Sequence, residues 1–171
     1  MPRRRDHHPR RLKSAGQIGT PTMPAKQEII SEVVRTNHGA TKVWEVAKSP
    51  ASLHLWHPGI TSSKLENYVR EVVMEGGAVI FERITATDDS NRSYSYAYVD
   101  GPLAMSNFTS TFTVNPCGPD ASEVSWSAQF DKDDSSAETA ALVEHMYRAG
   151  LTGLQEYLDT VLGTVHSGEV R

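Results

Sequence analysis

The chain has 171 residues, 38% hydrophobic and 22% charged, a balance that supports one globular core and excludes a wholly disordered chain. No run approaches the roughly 20 apolar residues that span a bilayer, and a single cysteine, Cys117, excludes an internal disulfide and any multi-cysteine zinc site. The formal net charge of -4 is unevenly spread: residues 1–26 hold seven basic side chains and one acidic, and the other 145 hold ten basic and twenty acidic, which disfavours a nucleic-acid-binding core.

Residues 1–26 contain four prolines and few large apolar side chains, so they are expected to form a solvated, disordered tail. A basic arm for an acidic partner is the competing reading. No apolar stretch of about 7–15 residues follows the arginines, as a secretory signal would need. Met23 opens MPAKQEII just before the first strand and is a candidate alternative start of translation. The folded domain is expected over 27–163, with a short tail at 164–171 and a cytoplasmic location.

Residues 28–34 (EIISEVV) read as a first strand. After Asn37-His38-Gly39, residues 40–47 read as a short helix. Ser49-Pro50 starts a second one, with Ser49 as N-cap, ending near Trp56. Strand-like runs follow at roughly 62–66, 68–74, 78–86, 92–99, 105–114 and 122–131. Turn chemistry separates them: Gly76-Gly77, Asp88 to Asn91, Asp100-Gly101-Pro102, and Asn115 to Asp120. Such spacing predicts an antiparallel meander. Ser135 and Glu138 have capping-box spacing. Leu142, Val143, Met146, Tyr147, Leu151, Leu154, Leu158, Val161 and Leu162 then recur with a helical period. One long helix over 136–162 is predicted, and Gly150 and Gly153 inside it mark a kink or a close approach to the sheet. The fold class is α+β, with a six- or seven-stranded antiparallel sheet curved around that helix.

Strand alternation identifies the inner face. The even positions hold Val124, Trp126, Ala128 and Phe130 in one strand. They hold Phe108, Phe112 and Val114 in the next, and Tyr94, Tyr96 and Tyr98 in a third. Extending the same parity puts Ile80 and Glu82 inside, together with Tyr68, Arg70 and Val72. A one-residue bulge would reverse this. Opposite charges at Arg70 and Glu82 predict either a buried ion pair closing the sheet or a polar anchor in an aromatic pocket. In the second case Glu82 would move a proton and Arg70 would hold an oxygen anion. The aromatic inner face reads either as a packed core or as a cavity for a ring-containing or acyl ligand.

The words Val43-Trp44, Trp56-His57-Pro58, Val69-Arg70, Gly77, Phe81-Glu82-Arg83, Tyr96-Ala97-Tyr98, Asp100-Gly101-Pro102-Leu103 and Val124-Ser125-Trp126 occur in that order over roughly 28–162. In this order the chain resembles the START/Bet v 1-like (SRPBCC) superfamily and its polyketide cyclase/dehydrase-like group. The resemblance implies a helix-grip fold with two short helices after the first strand and a hydrophobic or amphipathic small molecule between sheet and helix. It implies a cofactor-independent cyclase or dehydratase of secondary metabolism, as in antibiotic biosynthesis. His57, Arg70 and Glu82 would then be the catalytic candidates. Trp56, Tyr96, Tyr98, Phe108, Phe112, Trp126 and Met146 would bind substrate. A non-catalytic carrier or sensor of a hydrophobic ligand is the alternative, and a protein-interaction module with a filled core is a third reading. No cofactor, nucleic acid or membrane partner is expected, and a homodimer is allowed. His54-x-x-His57 lacks a third ligand, so no metal is expected. His57 at a helix end equally fits a histidine bonding backbone carbonyls. His145 sits on the long helix, exposed or grazing the pocket. Cys117, in a Pro/Gly turn, has no activating partner.

Overall fold

The computed structural model describes residues 25–133 and 135–163. The expectations for residues 1–24, Met23 included, and for the tail after 163 lie outside the described residues. Seven strands form one antiparallel sheet in the order β1-β7-β6-β5-β4-β3-β2. They are β1 (Gln27–Thr36), β2 (Ile60–Glu66), β3 (Val69–Met74), β4 (Val79–Asp88), β5 (Ser93–Asp100), β6 (Thr109–Pro116) and β7 (Ser122–Asp131). Two helical segments follow β1, namely α1 (Ala40–Ala47) and a 3-10 helix (Pro50–Leu55), and α2 (Ser136–Leu162) closes the chain. This is the helix-grip arrangement. Consecutive strands from β2 to β7 pair as neighbours, which is what short turns between alternating runs dictate. β1 returns beside β7 and is held by α2, where Arg148 Nη2 sits 2.7 Å from Glu32 Oε1 and Gln155 Nε2 donates to the carbonyl of Arg35.

The parity reading holds through β5, β6 and β7: Tyr94, Tyr96, Phe112, Val114, Val124, Trp126, Ala128 and Phe130 are all buried. Their odd neighbours form a solvated Ser/Thr face on the other side, where Ser95 and Thr111 share a hydrogen bond of 2.8 Å. Each aromatic of this size contributes roughly 2–3 kcal/mol of transfer free energy when buried.

Several local expectations fail for identifiable reasons. Tyr68 is not inside. It is 74% exposed at the tip of the β2–β3 hairpin, with Asn67 at φ 50° and Tyr68 at φ 64°. Left-handed backbone at both central residues is the type I′ form of a two-residue hairpin turn, so the inner-face parity starts only at Arg70. β6 begins at Thr109, not 105. Asn107 is left-handed at φ 53° and breaks the run, so residues 101–108 cross the open end of the sheet as a loop. The capping box does not form. Asp133 Oδ1 accepts from Ser135 N at 2.9 Å and from Ser135 Oγ at 2.8 Å, since a carboxylate is a stronger acceptor than a hydroxyl. Ser49 makes no side-chain cap either. Leu142 and Val161 are exposed because they lie off the stripe carried by Val143, Leu154 and Leu158.

Gly150 and Gly153 mark a close approach. A Cβ at Gly150 would lie 2.5 Å from His57 Cδ2 and 2.9 Å from Trp126. One at Gly153 would run into the carbonyl of Trp56. The two glycines let α2 lie directly on the corner that follows the 3-10 helix.

Candidate functional site

The concave face of the sheet and the inner face of α2 enclose a cavity. β3 supplies Arg70 and Val72, β4 supplies Ile80 and Glu82, β5 supplies Tyr96 and Tyr98, and β7 supplies Trp126. α2 contributes Val143, Met146 and Tyr147. Leu53, His57 and Ile60 close one side, and the 101–108 loop adds Leu103, Met105 and Phe108. The cavity volume is about 30 Å³. That is room for water but not for a ring. Met105 and Met146 are among the lining residues, and methionine repacks readily.

Eight of the ten site candidates border this one space: His57, Arg70, Glu82, Tyr96, Tyr98, Phe108, Trp126 and Met146. Trp56 and Phe112 do not. They pack behind it, with ring centroids 6.0 Å apart and Phe112 stacked on Tyr94 at 5.3 Å. Sequence reading missed Tyr147, Leu103 and Met105 as lining residues. Tyr147 carried a signal, since it is four residues from both Val143 and Leu151 on the apolar stripe of α2. Leu103 and Met105 carried none, because a loop has no period.

Arg70 and Glu82 are directly opposite in the β3–β4 register. Arg70 Nε donates to Glu82 Oε2 at 2.8 Å, and Nη2 lies 2.7 Å from the same oxygen in ion-pair contact. Nη1 donates to the carbonyl of Pro50 at 3.3 Å. The guanidinium stands over the Tyr96 ring, 4.6 Å from its centroid. Arg70 is 0% exposed and Glu82 12%. Burial, the largest single influence, disfavours the Arg70 cation, but the Glu82 carboxylate together with Tyr94 and Tyr96 more than offsets it and leaves Arg70 firmly charged. Among the described residues no donor reaches Glu82 Oε1.

His57 has both ring nitrogens committed. Gly59 N–H donates to Nδ1 at 3.1 Å, so the proton sits on Nε2 and is donated to the carbonyl of Met146 at 2.9 Å. Burial, the largest influence, holds its pKa below the ordinary value. His57 is therefore a neutral clamp between the 3-10 corner and α2. His145 is exposed on the outer face of α2.

The hydroxyls form a directed chain. Trp126 Nε1 donates to Tyr96 Oη at 3.0 Å, Tyr147 donates to Ser110 Oγ at 2.7 Å, and Ser110 donates to the carbonyl of Ser127 at 2.9 Å. Tyr96 and Tyr147 are 3.2 Å apart, so the Tyr96 proton goes to Tyr147. Burial raises the pKa of both phenols. Tyr98 differs: its oxygen accepts from Leu103 N at 3.0 Å and its own proton has no acceptor among the described residues. Also among the described residues, no group of three or more His, Cys, Asp or Glu side chains is placed to hold a metal, and no helix is long and apolar enough to cross a membrane.

Residues 27–159 match the profile of a family described as polyketide cyclase / dehydrase and lipid transport. Among solved structures, the protein XoxI from Bacillus cereus is 30% identical, with a TM-score of 0.73 over 77% of this chain and 96% of that one. A START superfamily protein from Mycobacterium smegmatis, at 12% identity, has a TM-score of 0.64 over 78% of this chain and 98% of its own. A norcoclaurine synthase point mutant from Thalictrum flavum, solved with a transition-state analogue, is 16% identical, with a TM-score of 0.63 over 81% and 99%. The last two share the fold. No curated protein matches the sequence.

Proposed function

The chain belongs to the polyketide cyclase / dehydrase and lipid transport family, and from that premise we propose that it binds a hydrophobic small molecule between sheet and α2 and acts on it without a cofactor. The reaction is of the cyclase or dehydratase type. The pocket folds a flexible substrate into a reactive conformer, and Glu82 moves the proton. The observation that carries this reading is the Glu82 carboxylate, with one oxygen held by Arg70, no protein donor on the other among the described residues, and the side chain lining an apolar, aromatic space. Arg70 serves as a support, wholly buried with Nε on Glu82 and Nη1 on Pro50, and His57 has both ring nitrogens bonded within the protein.

A carrier or sensor is the second reading. It is favoured by the same engagement, which leaves one carboxylate where acid–base chemistry often uses a pair. Native mass spectrometry of the protein purified from its own host would identify the scaffold it holds. Turnover of that scaffold should then fall about 100-fold or more in Glu82→Gln while binding persists. No turnover by the wild type, with equal binding by both proteins, would leave the carrier.

A further inference from the structure

A buried arginine in an apolar pocket invites the expectation of a carboxylate ligand. The contacts of Arg70 argue against it. Its Nε donates to one Glu82 oxygen, its Nη1 reaches Pro50, its face lies on Tyr96, and Nη2, which has no hydrogen-bond partner among the described residues, is held 2.7 Å from that same oxygen with none of the side chain exposed. What meets an incoming molecule is the other end of the pair, Glu82 Oε1, an acceptor with negative charge. Tyr96 and Tyr147 offer the cavity no proton, since each already donates within the protein. Tyr98 stands directly across from Glu82 in the β4–β5 register and keeps its hydroxyl proton. Glu82 and Tyr98 are thus cross-strand neighbours among the residues that line the pocket.

We propose that this site selects an uncharged hydrophobic ligand bearing a hydroxyl, phenolic or enolic, which donates to Glu82 Oε1 and accepts from Tyr98, and that it rejects carboxylates. The assignment rests on the pocket being the ligand site. A carboxylate would bring a second negative charge beside Glu82 in a desolvated space, which is strongly unfavourable. An ether of the same shape would leave Glu82 without its donor.

Three probes of one shape test this on the unmodified full chain near neutral pH: 2-naphthol, 2-methoxynaphthalene and 2-naphthoate, with affinities from calorimetry or ligand-detected NMR. The naphthol should bind roughly 10-fold to 100-fold more tightly than the methyl ether, the span expected of a hydrogen bond to a charged group. The naphthoate should be the weakest of the three. Equal binding of naphthol and ether, or naphthoate binding as tightly as naphthol, overturns the selectivity and leaves the pocket standing. Binding of none of them overturns the pocket reading and the selectivity with it.

Discussion

At the scale of single residues, the site is organised by where hydrogen-bond capacity is already used. Arg70 and Glu82 are a buried pair of the kind whose halves are far more costly apart than together. Glu82→Leu would leave a guanidinium in the core with no counter-charge, and about 3–5 kcal/mol of stability should be lost. Arg70→Met combined with Glu82→Leu should recover most of that loss. A double-mutant cycle by urea unfolding measures it, and a Glu82→Leu cost near zero would mean that the pair is not a structural unit. His57 makes a pH-dependent contribution with a definite sign. Its folded pKa lies below the ordinary 6.5, burial being the largest cause. The unfolded chain therefore binds the proton more readily. The clamp is fully effective above about pH 6.5 and weakens as pH falls below that value towards the folded pKa. His57→Phe keeps the ring volume and removes the acceptor of the Gly59 N–H. It should cost about 1–3 kcal/mol at pH 7.5. The gap from wild type should narrow on acidification, and a gap that widens would contradict the neutral clamp.

At the scale of elements, α2 shows why composition and contact must be weighed together. Helix propensity alone says that Gly153→Ala gains about 1 kcal/mol. The added Cβ meets the Trp56 carbonyl, a backbone atom that cannot turn aside. The net effect should be a loss of about 1–3 kcal/mol. The exposed Thr152→Ala in the same turn should instead be neutral or slightly stabilising. Thermal unfolding of the two variants side by side tests the docking of α2 on the 3-10 corner. The sequence announces both glycines and the apolar stripe of α2, but not what the glycines face, since that depends on packing between elements 90 residues apart. The strands β5 to β7 were legible because alternation persists over eight or more residues with one face wet. The opposition of Arg70 and Glu82 was reached only by extending that parity, since β3 has six residues and β4 carries apolar side chains on both faces. The loop at 101–108 was not legible. Phe108 sits at an even position and is buried, so it mimics a strand residue, while the left-handed Asn107 beside it ends the ladder.

At the scale of the whole molecule, a cavity of about 30 Å³ bordered by a loop means that a ligand enters only when that loop or Met146 moves. The loop's 106–108 end is bonded to the sheet through Asp131 and the Tyr98 N–H, and two further tethers hold the part nearer its middle. Leu103 N–H donates to Tyr98 Oη at 3.0 Å, and Thr139 Oγ1 on α2 donates to the carbonyl of Ala104 at 3.3 Å. The first joins it to the sheet and the second to the helix, so the loop spans the two halves of the grip at its open end. Tyr98 thus lines the pocket and holds its cover. Tyr98→Phe removes one hydrogen bond and leaves the ring in place, which should cost the folded state only about 0.5–1.5 kcal/mol. Its main effect should be local, because opening a surface loop does not require unfolding the sheet beneath it. Amide exchange at Leu103 should accelerate by roughly 5-fold to 10-fold, while amides of Phe112 and Trp126 in the central strands keep their wild-type protection. Uniform acceleration across the sheet would show instead that the Tyr98 hydroxyl supports the fold as a whole and that the pocket opens by another route.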